Sequence, residues 1–152
     1  MTSRSGTAGP DAGAAGRLGH LIKLAEQGLT SARSRALREF DLTVPQYSAM
    51  VALSSVPGAS GAQLARVCAV APQTMATVLA NLAAKDLIRR TPSSVHHKVL
   101  VATLTRPGQT LLRKADVTAK AIEDRLAGAF DEEGRATLAA LLERAIAVFR
   151  TG

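Results

Sequence analysis

Aromatic residues are scarce in this chain: they make up 3% of its 152 residues, and tryptophan is absent. Proteins that bind RNA or single-stranded DNA usually stack bases on exposed aromatic rings, so this composition argues against both classes. Cysteine is equally scarce, and the single Cys68 excludes an internal disulfide. A chain without disulfides fits a reducing compartment, and we expect a cytoplasmic protein.

Long apolar runs and catalytic motifs are missing as well. No run approaches the roughly 18 apolar residues of a membrane span. Residues 1–15 are small and polar, unlike a signal peptide, and we interpret them as a flexible N-terminal arm. Without a glycine-rich phosphate loop, a nucleophile elbow or paired carboxylates in an apolar setting, we expect neither an enzyme nor a bound cofactor. The three histidines lack the spacing of metal ligands, so no metal site is expected.

Positive charge is in clear excess. Lys and Arg number 19 against 12 Asp and Glu, which gives a net charge of +7 and a pI near 10.5. A surplus of this size favours an anionic partner, either nucleic acid or an acidic membrane surface. A membrane-surface role requires a basic amphipathic helix with bulky apolar anchors. The alanine-rich segments here are poor candidates for that, so we expect no membrane partner.

Hydrophobic periodicity predicts helices around one short hairpin. The predicted elements are a long helix over residues 17–40, a helix from Thr43 to Pro57, a short helix capped by Ser60, a helix from Pro72 to Lys85, a hairpin with strands 87–91 and 98–104, a long helix over residues 107–130 and a last helix ending at residue 149. Two short helices joined by a tight turn and followed by a hairpin are typical of a winged helix-turn-helix. The predicted fold class is therefore mainly α with a small β-wing.

The second of those short helices begins with three uncharged polar residues, Gln73, Thr74 and Thr77. In a helix-turn-helix, the N-terminal residues of this helix meet the base edges in the major groove. Glutamine can pair with adenine in bidentate fashion, and threonine can contact a base or the thymine methyl group. We expect these three residues to read double-stranded DNA. The opposite face of the helix is apolar and is expected to pack on the core: Val78, Leu79 and Leu82.

Three segments resemble the MarR family of bacterial transcriptional regulators: "LTVPQYSAMVAL", "LARVCAVAPQTMATVLANLAAKDLIRR" and "VLVATLTRPGQTLL". The resemblance covers about residues 16–150 and implies one domain over residues 16–152, with a winged helix-turn-helix at residues 43–106. It also implies a homodimer held by flanking dimerisation helices at residues 17–40 and 107–149. Such dimers bind palindromic operators, and many release DNA when a small aromatic effector binds. We expect a repressor here, with activation as the open alternative.

The wing departs from the family pattern at two positions. Where the family usually carries an Asp-x-Arg pair, this chain has His96 and Lys98. The acid that would orient a basic side chain toward the minor groove is therefore absent. Asp86 stands where the family often has glycine, and we expect the turn to survive because Asp tolerates a left-handed backbone.

The predicted DNA contacts combine the polar helix start with the basic hairpin. Residues 88–106 hold four cations and no acid, more than half of the net charge. The complete predicted set is Ser60, Arg66, Gln73, Thr74, Thr77, Arg89, Arg90, Ser93, Ser94, His96, His97 and Lys98. Tyr47 is a candidate for lining an effector pocket.

Two alternatives to this function stay open. A winged helix can serve only for protein contacts, although such a module would not need a basic wing. A regulator can also sense oxidants through cysteine, but Cys68 falls on the apolar face of its helix with Leu64 and Val67. There a cysteine behaves as a small hydrophobic residue, whereas a sensor thiol needs exposure and a lowered pKa.

Overall fold

The computed structural model of the protein describes residues 11–150 and is mainly helical, with one small antiparallel sheet. The predicted fold class is confirmed. The helices are α1 (Asp11–Leu37), α2 (Val44–Ser55), α3 (Gly61–Val67), α4 (Pro72–Ala84), α5 (Arg106–Ala127) and α6 (Glu132–Arg150). The strands are β1 (Ala59–Ser60), β2 (Ile88–Pro92) and β3 (Leu100–Leu104).

The first helix is longer than predicted. It begins at Asp11 instead of Arg17 and continues into a 3₁₀ turn, Arg38–Phe40. Residues 11–15 were expected in a flexible arm and are helical instead. Residues 1–10 of that predicted arm lie outside the described residues.

Side-chain caps fix where α2 and α3 begin, as predicted. The Oγ1 atom of Thr43 accepts the N–H of Gln46 at 3.2 Å, and the Oε1 atom of Gln46 accepts the N–H of Thr43 at 3.0 Å. Ser60 and Gln63 form the same reciprocal pair at 3.2 and 2.8 Å. Each capping box satisfies two amide groups that have no partner within the helix. Both predicted N-caps are confirmed.

The sheet has three strands in the order β1-β3-β2, where the sequence predicted only a two-stranded hairpin. Ala102 at the centre of β3 pairs with Ala59 on one side and with Arg90 on the other. The predicted strands were also displaced, because residues 98 and 99 lie in the tip of the hairpin and Leu87 precedes β2. Strand β1 directly precedes α3, so it connects the helix-turn-helix to the wing.

Two left-handed residues mark the ends of α3 and α4. Ala69 has φ 53° in the turn between the two helices, and Asp86 has φ 58° after α4, as expected for a residue at this position. The carbonyl of Asp86 accepts a hydrogen bond of 2.6 Å from the Oγ1 atom of Thr105. The start of α5 is thereby held against the end of α4, and Gly108 packs directly on the backbone of Leu87.

The hydrophobic core lies where α2, α3 and α4 meet, closed by the end of α1 and the first half of α5. Its largest fully buried side chains are Leu37, Met50, Leu53, Leu64, Met75, Leu79 and Leu82. Helix α6 contributes no buried residue. This core therefore belongs to the winged helix-turn-helix domain and its junctions with the long helices.

An apolar face of α6 is exposed over its last two thirds: Leu138, Leu141, Leu142, Ile146, Val148 and Phe149. The first half of α1 exposes Leu18, Leu21, Ile22 and Leu24 in the same way. Soluble monomers rarely leave apolar surface of this extent uncovered. Within residues 11–150, no single helix is long and apolar enough to cross a membrane. Only α3 and α4 taken together have that length and apolar character, and the two helices are bent by 112° relative to each other.

Candidate nucleic-acid interface and ligand cavity

Helix α4 separates its side chains by chemistry. Met75, Val78, Leu79 and Leu82 are buried, which confirms the predicted inner face and adds Met75 to it. The predicted base-reading residues Gln73, Thr74 and Thr77 are all exposed. Asn81 is exposed four residues beyond Thr77 and extends the same polar face, although it was not among the predicted contacts.

The hydroxyl of Thr77 is already engaged within α4. Its Oγ1 atom donates to the carbonyl of Gln73 at 3.3 Å. Because the hydroxyl proton points back along the helix, the methyl group and the oxygen lone pairs remain for an external partner. This arrangement suits contact with a thymine methyl group or with a donor on a base edge.

The two arginines of β2 lie on opposite faces of the sheet. Side chains alternate along a strand, so Arg90 shares a face with the buried Ile88, and Arg89 points the other way. Arg89 is exposed, whereas Arg90 is half-buried, and its buried Nε atom makes no hydrogen bond within the described residues. Arg89 is therefore the arginine of β2 that is more accessible to a phosphate, and the predicted role of Arg90 stays a prediction.

The hairpin tip is organised by Ser93. Its Oγ atom accepts the N–H groups of Val95 and His96, both at 3.2 Å. Its own N–H donates to the carbonyl of Val99 at 2.7 Å, across the base of the tip. The Ser93 oxygen thus shapes the loop, while its hydroxyl proton remains for another partner, and the predicted DNA contact of Ser93 stays a prediction.

A second turn carries the basic residues of the tip. The N–H of Val99 donates to the carbonyl of His96 at 2.8 Å, which leaves His97 and Lys98 as the two central residues of the turn. Ser94, His96, His97 and Lys98 are all exposed. The structure therefore brings these predicted contacts together at the outermost point of the wing.

The remaining predicted contacts lie on the helix-turn-helix itself. Arg66 is exposed on α3, and Ser60 is half-buried with its side-chain oxygen accepting the capping hydrogen bond. Residues 59–106 contain six Lys and Arg residues but only one acid, Asp86. This unit carries most of the net positive charge of the chain, +5 of +7 (six cations less one acid), as an interface with a polyanion requires.

A cavity of about 670 Å³ opens between α1, α2 and α3. Its walls are mostly apolar, its two cations are Arg33 and Arg66, and no acid lines it. The lining residues include Tyr47, whose role in an effector pocket stays a prediction, together with Val44, Val51, Ala52, Leu64, Val67 and Cys68. An apolar cavity with two cations suits a small molecule that carries negative charge.

Polar contacts next to this cavity connect α5 to α1 and α2. The hydroxyl of Tyr47 donates to the Oδ1 atom of Asp116 at 2.6 Å, and the guanidinium of Arg33 pairs with the carboxylate of Glu123. Burial, followed by the hydrogen bond to Asp116 and its charge, raises the pKa of Tyr47 well above the ordinary value. The phenol is therefore a neutral donor at physiological pH.

Cys68 ends α3 and is half-buried against the core. Burial raises the pKa of its thiol, which disfavours the thiolate that an oxidant sensor needs. Among the residues that the structure describes, no three His, Cys, Asp or Glu side chains are grouped to hold a metal ion.

The helix order, the exposed polar start of α4 and the basic wing together define a winged helix-turn-helix protein. A sequence model of the MarR family matches residues 40–99. The HTH-type transcriptional repressor Rv2887 of Mycobacterium tuberculosis is 36% identical over 109 residues, which are 72% of this chain and 78% of the relative. The chain belongs to the MarR family.

Solved structures agree with this assignment. The M. tuberculosis MarR family protein Rv2887 in complex with p-aminosalicylic acid is 32% identical with a TM-score of 0.67, covering 84% of this chain and 97% of that one. The transcriptional repressor CouR bound to a 23-mer DNA duplex has a TM-score of 0.80, covering 88% of this chain and 95% of that one. CouR is only 22% identical, so it supports the fold alone.

Proposed function

We propose that this protein is a transcriptional repressor that binds a palindromic operator in double-stranded DNA as a homodimer. The observation that carries the proposal is the exposed polar start of α4, Gln73, Thr74 and Thr77, beside a wing with no acid at its tip. The curated relative Rv2887 is named an HTH-type transcriptional repressor, which supports the same role. We propose no catalytic activity.

The exposed apolar faces of α1 and α6 support the homodimer. Helix α6 has no buried residue of its own, and a second copy would cover its apolar face. Sedimentation at micromolar concentration should therefore report a dimer. A stable monomer under those conditions would contradict this assembly.

The most direct test of the function is a genome-wide pull-down of bound DNA followed by sequencing. A shared palindromic motif among the fragments is expected, and it defines an operator for affinity measurements. Fragments without a common motif would contradict sequence-specific binding.

Base reading by α4 is tested with Gln73→Ala on that operator. The substitution should cost roughly 1–3 kcal/mol of operator affinity and little on random DNA, because a bidentate base contact is lost. Gln27→Ala, at an exposed glutamine of α1, is the matched control and should leave both affinities unchanged. An equal loss of affinity for both DNAs would mean that Gln73 positions the protein on DNA and does not read a base.

Salt dependence separates DNA binding from a winged helix used for protein contacts. If about four cations per subunit touch phosphates, the logarithm of affinity should fall with the logarithm of salt concentration at a slope near −7. Arg89→Ala should weaken operator and random DNA alike and make the slope shallower. A flat salt dependence would instead favour the protein-interaction alternative.

We further propose that a small aromatic acid binds in the 670 Å³ cavity and releases the DNA. The apolar walls suit an aromatic ring, and Arg33 and Arg66 suit a carboxylate. The relative Rv2887 has been solved with p-aminosalicylic acid and with salicylic acid, which supports this class of ligand. Salicylate should lower operator affinity in a titration, and its failure to do so at saturating concentration would contradict release.

A further inference from the structure

Arg33 lies between two cavities. It lines the 670 Å³ cavity between α1, α2 and α3, and it also lines a neighbouring cavity of about 370 Å³ with Tyr47, Asp116, Lys120 and Glu123. The first cavity has no acid in its wall, whereas the second contains Asp116 and Glu123. Arg33 is thus the cation that both environments share.

The guanidinium of Arg33 is already paired with a carboxylate of the protein. Its partner, Glu123, lies on α5, ninety positions away along the chain. The pair is partly open to solvent, since the Arg33 and Glu123 side chains are 34% and 49% exposed. Ion pairs of this exposure are weak, so an incoming anion can break this one at small cost.

We propose that Glu123 competes with the ligand carboxylate for Arg33, so that an anionic ligand binds by exchange and breaks this ion pair between α1 and α5. This inference rests on the proposed ligand cavity and adds Glu123 as a residue that sets the affinity for the anionic ligand. After exchange, the Arg33 guanidinium turns its donors into the larger cavity. Glu123 then remains in the smaller cavity beside Lys120, a cation that bonds Asp124 at 2.9 and 3.0 Å.

The same exchange explains how a ligand bound in the cavity can affect the DNA-binding unit, that is, the winged helix-turn-helix. Tyr47 belongs to α2, lines both cavities and connects α2 to Asp116 on α5. Loss of the Arg33–Glu123 pair removes a polar contact between α1 and α5 that lies next to the Tyr47–Asp116 hydrogen bond. Fewer polar contacts then fix the angle between α2 and the long helices α1 and α5. The DNA-binding unit, which contains α2, can therefore reorient.

The competition is tested by calorimetric titration with salicylate in four forms of the full-length protein. Glu123→Gln should tighten salicylate binding by up to about fivefold, because the competing charge is removed while an amide of similar shape remains. Arg33→Gln should weaken it at least tenfold, since a charge-assisted hydrogen bond is lost. Glu39→Gln is the matched control: Glu39 also connects to α5, through Thr118 at 3.3 Å, but lines neither cavity. Its affinity should stay at the native value.

Salicylamide provides a neutral probe of the same shape, and Glu123→Gln should not improve its binding. The inference is overturned if Glu123→Gln leaves salicylate affinity unchanged, if Glu39→Gln gives the same gain, or if salicylate does not bind the native protein. Circular dichroism of each variant confirms that it is folded, and Arg33→Met, which also removes the charged donor, replaces Arg33→Gln if the latter is not folded. Operator binding without ligand is measured in parallel, and its absence in the native protein would contradict the proposed function while leaving the exchange result standing.

Discussion

Gly108 offers a sharp test of how α5 is attached to the DNA-binding unit. A Cβ atom added at this position would lie 2.0 Å from the carbonyl oxygen of Leu87 and 2.9 Å from its carbonyl carbon. Ordinary contacts between such atoms begin near ~3.5 Å. Gly108→Ala therefore requires the start of α5 and the backbone of residue 87 to separate by more than about 1 Å.

The obstacle cannot rotate away, because it is backbone held on both sides. The Leu87 carbonyl accepts the N–H of Thr105 at 3.1 Å, and the Leu87 N–H donates to Leu82 at 3.0 Å. Separation would break the first of these hydrogen bonds. Overpacking costs roughly 1–3 kcal/mol, and a lost hydrogen bond with a buried group left unpaired costs about 1–3 kcal/mol more. We expect Gly108→Ala to lower the free energy of unfolding by about 2–6 kcal/mol.

Urea denaturation followed by circular dichroism measures this loss, with all variants at one protein concentration because a dimer unfolds in a concentration-dependent way. Gly61→Ala is the matched control. A Cβ atom there meets only the flexible Cδ1 atom of Leu79 at 3.5 Å, so its stability should change by less than about 0.5 kcal/mol. A loss below about 1 kcal/mol for Gly108→Ala would refute the view that this junction is rigid.

Three further predictions follow from local geometry. Ala69→Gly should stabilise the fold by about 0.5–1 kcal/mol in the same denaturation assay, because glycine adopts the left-handed backbone of this turn (φ 53°) without strain; a destabilisation would contradict it. Thr43→Ala should cost about 1 kcal/mol by removing the capping box with Gln46, and Thr43→Ser should retain most of that. Tyr47 is the single tyrosine in a chain without tryptophan, so absorbance titration reports it directly: it should ionise above its ordinary pKa, and Asp116→Asn should bring the transition down. Since the folded state holds this proton more tightly, the contribution of Tyr47 to stability is complete below the unfolded pKa and is lost as pH rises toward the folded value.

Local signals in the sequence predicted much of the fold. Thr43 and Ser60 each precede an apolar helix and have a glutamine three positions later, so the caps could be identified from spacing alone. The left-handed turn at Asp86 was expected from the resemblance to the MarR family, which often has glycine at this position, and from the tolerance of Asp for this backbone. Arg90 could have been assigned to the inner face of its strand, because it lies two positions after Ile88. It was predicted as a DNA contact because of its charge.

Other features depend on contacts that are distant in sequence. Strand β1 has only two residues, too few for any periodicity, and it exists because β3 offers a free edge beside it. Arg33 and Glu123 are exposed charges on two helices, and only the packing of α1 against α5 brings them together. No pattern within either helix distinguishes these two residues from ordinary surface charge. The ion pair beside the proposed ligand cavity could therefore not be predicted.

Strand β1 has a mechanical consequence for DNA release. Because β3 is paired along both edges, the hairpin cannot swing independently of the helices that follow β1. The chain enters this body near Thr43, and the start of α5 is fixed to it by the contacts of Thr105 and Gly108 with residues 86 and 87. The body therefore moves together with the start of α5, and a small change of its angle displaces the start of α4 and the hairpin tip together. The DNA contacts proposed for α4 and the wing would then be lost in one concerted step, without unfolding of either element.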